Sequence, residues 1–117
     1  MSSQQISSNQ KISPEQWVEF FDQFTQDNRV RLIKLEIVNR ERGDEILIEN
    51  APLWSLIYAP VSQGNKLTLA IEREEVTPAY TTILAPKIVW SAKDVNGQVV
   101  ALEIIDESNA QTILSLK

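Results

Sequence analysis

Two groups of carboxylates come closest to a chemical function in this chain. Glu72, Glu74 and Glu75 lie together, as do Asp106 and Glu107. Hydrolysis of a glycosidic bond, or capture of a divalent cation, needs two or more carboxylates converging on one point. In extended chain, neighbouring side chains point to opposite faces, so adjacency alone does not bring acids together. A solvated charge run at a strand end is the favoured reading. A basic group, Arg29, Arg31 and Lys34 with Arg40 and Arg42, could meet an anionic partner. It lacks the glycine-rich loop that cradles phosphate, and acids are interleaved in it. Charged protection of strand edges explains it better. Among the aromatics, Trp54, Tyr58 and Tyr80 are the candidate contacts of an interface or a ligand, because exposed Trp and Tyr carry a large share of binding energy. For Trp54 itself, with Leu53 and Leu56 beside it, a core position is favoured. Trp17 and Trp90 sit in apolar patterns that read as core.

The missing residue types narrow the field further. The 117 residues include neither cysteine nor histidine. Disulfides and thiolate metal sites are therefore excluded, and a zinc site would have to be built from carboxylates alone. The commonest general base near neutral pH is absent, and triads of the Ser-His-Asp and Cys-His types cannot form within one chain. No cofactor is expected. Sixteen acidic residues against eleven basic ones give a net charge of −5, which opposes non-specific binding to nucleic acid. No apolar run has the length of a membrane span, and the first residues lack the layout of a signal peptide. The expectation is a cytoplasmic protein that engages neither nucleic acid nor membrane.

The elements that must position these residues follow from hydrophobic spacing. Residues 1–12, rich in Ser, Gln and Asn, read as a flexible tail before a single domain over 13–117. Trp17, Phe20, Phe21 and Phe24 recur at helical spacing, so their rings share one face. Ser13 is expected to cap that helix, with Pro14 at its first position and Gln16 completing a capping box. Ile12 is placed to staple the entry to the helix.

The remainder alternates as strands do. Ile33, Leu35 and Ile37 face Ile48 and Ile46 if a four-residue loop with Gly43 at positive φ joins them. Leu53–Tyr58 is apolar on both faces, as in a central strand or one that touches a partner. Leu67, Leu69 and Ile71 form another strand, and Glu72–Glu75 its solvated end. Pro78 and Pro86 bracket Tyr80–Leu84, the expected edge strand. A three-residue loop, Val95-Asn96-Gly97 with Gly97 left-handed, pairs Ile88 with Ile104, Trp90 with Leu102 and Ala92 with Val100. The same loop at Glu107-Ser108-Asn109 sets Leu102 beside Leu114. The meander's central row is then Trp90, Leu102 and Leu114. The fold class is α+β: one N-terminal helix on a strongly twisted antiparallel sheet, or partly closed barrel, of about seven strands.

The run Pro-Glu-Gln-Trp-Val-Glu-Phe-Phe-Asp-Gln-Phe, followed by Arg31-Leu32-Ile33-Lys34-Leu35-Glu36, resembles the start of a small bacterial family, domain of unknown function 5335. The closing strands Ala101-Leu102-Glu103-Ile104 and Thr112-Ile113-Leu114 fit the same resemblance, which spans Ser13 to Lys117. Relatives often carry histidines in the segment matching Pro78–Pro86; this chain has none there. The resemblance implies a fold unit without an assigned activity.

Three functions are compatible with these residues. The first is a small non-catalytic interaction or structural module, with a protein partner or a second copy of the chain meeting the Leu53–Tyr58 strand or an open edge. The second is a barrel binding an apolar ligand in a cavity lined by Trp54, Tyr58, Trp90 and Leu102. Carboxylate-only hydrolysis is the weakest. As for the helix, its aromatic stripe read alone is a docking surface, but a sheet this small needs one face covered, so core is favoured.

Overall fold

The computed structural model describes residues 6–39, 41, 43–72 and 79–117. Glu74, Glu75, Arg40, Arg42, Pro78 and the first five residues of the expected tail lie outside the described residues. Strand β1 (Ser8–Ile12) is followed by a 3-10 turn over Pro14–Gln16 and helix α1 (Trp17–Asn28). Seven more strands follow: β2 (Leu32–Asn39), β3 (Gly43–Ala59), β4 (Lys66–Ile71), β5 (Ala79–Leu84), β6 (Pro86–Lys93), β7 (Val99–Asp106) and β8 (Gln111–Leu116). They form one antiparallel sheet in the order β1-β6-β7-β8-β2-β3-β4-β5, which does not close into a barrel. The segments expected separately around Ile46–Ile48 and Leu53–Tyr58 are one long strand, β3. Its first part pairs with β2 and its last part with β4.

Helix α1 covers the sheet's inner face and packs chiefly on β3. Trp17, Phe21 and Phe24 are buried and Phe20 is half-buried, so the aromatic stripe belongs to the core. Trp17 meets Tyr58 edge-on, with ring centroids 5.2 Å apart. Ser13 makes no side-chain cap, and the capping box is replaced by the 3-10 turn ahead of α1. What fixes the helix entry is Ile12: its side chain is buried, and its carbonyl accepts from Trp17 Nε1 at 2.9 Å.

The expected tail contains β1, which pairs with β6 from Ser8 opposite Lys93 to Ile12 opposite Val89. Only Ile12 of its five residues is buried. Backbone bonds to β6, which leave no mark on hydrophobic spacing, hold the rest.

Registers depart from expectation at a bulge in β6 and at the turn between β2 and β3. The β6–β7 loop is the expected one: Asp94 N–H donates to Gln98 O across Val95-Asn96-Gly97, with Gly97 at φ 79°. A register shift between Ala92 and Lys93 then places Ser91, and not Trp90, opposite Leu102. One extra residue in a strand moves every later side chain of the pairing to the other face. The row facing the core is thus Ser91, Leu102, Leu114, Leu35 and Ile48. Trp90 lies opposite Glu103 and is partly exposed. The β7–β8 loop has the same form without a bulge, so the Leu102–Leu114 pairing is as expected. The β2–β3 turn is one residue tighter than expected: Asn39 pairs with Gly43, Ile37 with Glu45 and Glu36 with Ile46. A bulge then restores Leu35 opposite Ile48 and leaves Ile46 exposed.

Candidate functional site

Of the candidate carboxylates, Asp106 is engaged in a hairpin turn, and Asp94, which was not a sequence candidate, is engaged in the same way. Asp94 Oδ1 accepts from the backbone N–H of Asn96 and Gln98 at 2.9 and 3.0 Å. Asp106 Oδ1 does the same for Ser108 and Ala110, and also takes the Ser108 hydroxyl at 2.7 Å. Both aspartates therefore satisfy hairpin backbone that would otherwise need water. Glu72 and Glu107 are exposed. Among the described residues no three carboxylates are grouped as a metal site requires.

The basic group is dispersed in a similar way. Arg31 ties three segments together, donating from Nε to Lys117 O at 3.0 Å and from Nη1 to Asn28 Oδ1 at 2.7 Å and Val99 O at 3.0 Å. Burial lowers the pKa of its guanidinium, and the charge of Asp94 opposes that shift. Lys34 Nζ lies 3.5 Å from Glu36 Oε1. Arg29 donates from Nε to Trp54 O at 3.0 Å, and its guanidinium stacks 4.7 Å from the centre of the Trp54 ring.

The three aromatic candidates separate. Tyr58 is buried, and its hydroxyl donates to Asn65 Oδ1 at 2.8 Å, bracing the turn into β4. It is a core residue. Trp54, expected in the core, is 42% exposed, and Tyr80 is 66% exposed. The cause lies in β3, where Leu53, Leu56 and Tyr58 turn inward while Trp54 and Ile57 turn out, the register to β4 shifting between Leu53 and Ser55. In β5 the alternation is regular, with Tyr80, Thr82 and Leu84 exposed.

Pairing places these outward residues in rows across β3, β4 and β5: Ser55–Ala70–Tyr80, Ile57–Thr68–Thr82 and Ala59–Lys66–Leu84. The outer face of this half of the sheet thus presents Trp54, Ile57, Tyr80 and Leu84, with one charge, Lys66, in those rows. Ile57 and Leu84 were not among the sequence candidates. Strict alternation with the inward Leu56, Tyr58 and Ile83 was the signal that could have found them.

The residues expected to line an apolar cavity do not share one. Among the described residues, Trp90 and Leu102 border an open depression of about 380 Å³ together with Ile6, Ala92 and Ile113. A second, also about 380 Å³, lies between Phe20 and Phe24 of α1 and Lys93 and Val99. Neither touches Trp54, Tyr58 or Tyr80.

The family described as "Family of unknown function (DUF5335)" matches residues 8–117, which begins at β1 and takes in every element. The chain belongs to that family. A DUF5335 assignment starting at Ser8 agrees with a domain in which β1 is a structural strand. An uncharacterized protein of Aquifex aeolicus (strain VF5) is 26% identical over 106 residues, covering 91% of this chain and 89% of that protein. No solved structure matches. No helix among the described residues is long and apolar enough to cross a membrane.

Proposed function

We propose that this DUF5335 protein is a small non-catalytic interaction module that works in the cytoplasm and docks through the outer face of β3, β4 and β5. The observation that carries the reading is the exposure of four large apolar side chains on that face: Trp54 at 42%, Ile57 at 52%, Tyr80 at 66% and Leu84 at 67%. Scattered exposed apolar residues are ordinary, but several on one sheet face beside an open edge mark an interaction surface. The non-catalytic part draws on Asp106 and Arg31, which are spent on a turn and on joining segments, and on the lack of any three grouped carboxylates among the described residues. The acidic, cysteine-free composition supports the compartment.

A photo-crosslinking residue placed at Tyr80 or Ile57, in cells, tests the docking surface. A discrete protein adduct from these positions, absent from the still more exposed Val95 on the β6–β7 turn (83%), is the expected result. Adducts no more frequent than at Val95 would overturn it.

A further inference from the structure

The sheet has two edges, β1 and β5, and they differ in chemistry. β1 carries Lys11 opposite Trp90, and a charge on an edge strand discourages pairing with another chain. β5, Ala-Tyr-Thr-Thr-Ile-Leu, holds no charge and no proline. It is the terminal strand, with β4 on one side and no partner among the described residues on the other.

Which backbone groups reach that open edge can be worked out. Ala85 N–H donates to Asn65 O at 2.9 Å, and these two residues continue the β4–β5 register, in which Lys66 faces Leu84. In an antiparallel ladder, residues alternate between pointing both backbone groups at one neighbour and pointing them away. Residues 81, 83 and 85 therefore bond to β4. Tyr80, Thr82 and Leu84 turn their N–H and C=O to the open edge. Their side chains are also the exposed ones.

Resting on the docking surface of the preceding reading, we propose that a second copy of this chain pairs antiparallel along β5, the open border of that surface, and so joins the two outer faces into one. A two-fold axis at Thr82 sets Thr82 opposite Thr82 of the second copy and Tyr80 opposite Leu84 of the second copy. All the outward-facing backbone groups are then exchanged in hydrogen-bonded pairs. Residues of the same parity oppose each other, so the outer rows continue across the axis and Tyr80 is covered by Leu84 of the second copy. No like charges meet along β5, whose six residues carry none. A contact of one strand with two large side chains per copy lies at the small end of specific interfaces, so dissociation constants on the order of 10–100 μM are expected.

The chain has no cysteine, so an introduced one reports cleanly. Residues opposite each other in a hydrogen-bonded pair have Cα atoms about 5.5 Å apart, within disulfide reach. Thr82→Cys should form a disulfide-linked dimer under mild oxidation at least about tenfold faster than Val95→Cys at the same concentration. Sedimentation of the cysteine-free chain should show a reversible dimer across this concentration range. Thr82→Pro removes an edge N–H that β4 does not use, and Leu84→Lys adds a charge to the edge. Each should weaken the dimer about tenfold or more, with far-UV circular dichroism unchanged to confirm folding. A chain that stays monomeric to about 0.5 mM, well above those constants, with Thr82→Cys linking no faster than Val95→Cys, overturns self-pairing. In that event a crosslink from Tyr80 to a different protein leaves the docking surface standing, and its absence removes that as well.

Discussion

Replacing Thr25 by Val should destabilise the protein by an amount that side-chain volume does not explain. Thr25 lies on the buried face of α1, and its hydroxyl donates to Leu56 O at 2.9 Å and accepts from Leu56 N–H at 3.0 Å. Beyond Pro52, β2 no longer runs beside β3, so the backbone of Leu56 on that side has no strand to bond. The helix hydroxyl takes the place of the missing neighbour. Valine fills the same space without either bond, leaving one buried N–H and one buried C=O unpaired. Each such group costs roughly 1–3 kcal/mol, giving about 2–6 kcal/mol in total. For a domain of this size that corresponds to a fall in Tm of about 8–25 °C. Thr25→Ser keeps both bonds and loses a methyl, so it should cost only about 1 kcal/mol. Urea unfolding followed by tryptophan fluorescence, with both variants compared at equal m-value, is the assay. If Val and Ser destabilise equally, the hydroxyl does not anchor β3, and the placement of Trp54 and Ile57 must have another cause.

Three further outcomes are expected. Ser91 is 1% exposed and its Oγ has no hydrogen-bond partner among the described residues, so Ser91→Ala should stabilise the fold by about 1 kcal/mol; a lower midpoint in urea would contradict the core position of Ser91. Gly97→Val forces a β-branched residue to φ 79° and should cost about 1–3 kcal/mol, whereas Gly97→Asn, well tolerated in that region, should cost less than about 1. Phe21→Ala should cost about 3–5 kcal/mol, because Phe21 is fully buried, and Phe20→Ala clearly less, because Phe20 is half-buried; equal losses would place both rings in the core.

What could be read from the sequence was set by which interactions leave a mark on residue type. Gly97 and Asn109 announce their turns, because a residue tolerant of positive φ must sit at those places; the capping roles of Asp94 and Asp106 were not read. The aromatic helix was legible for the same reason: burial demands spacing. Bulges demand little of composition, so the shift near Ala92 that turns Trp90 outward and Ser91 inward was invisible, and Trp90 looked like the better core residue. β1 was missed because four of its five side chains are exposed and its stability comes from backbone bonds. At the candidate site, Tyr80 on an edge strand was readable from its flanking prolines. Trp54 and Tyr58 were exchanged in role because the two-faced run Leu53–Tyr58 does not reveal where the register to β4 shifts.

Amide hydrogen exchange of β5, read residue by residue at about 5 μM and about 500 μM protein, tests the pairing of this strand most directly, since these concentrations bracket the expected dissociation constants. The account predicts that the amides of Tyr80, Thr82 and Leu84 slow about three- to sevenfold at the higher concentration while those of Thr81 and Ile83, already bonded to β4, change little. Exchange at Thr82 that is independent of concentration would contradict it.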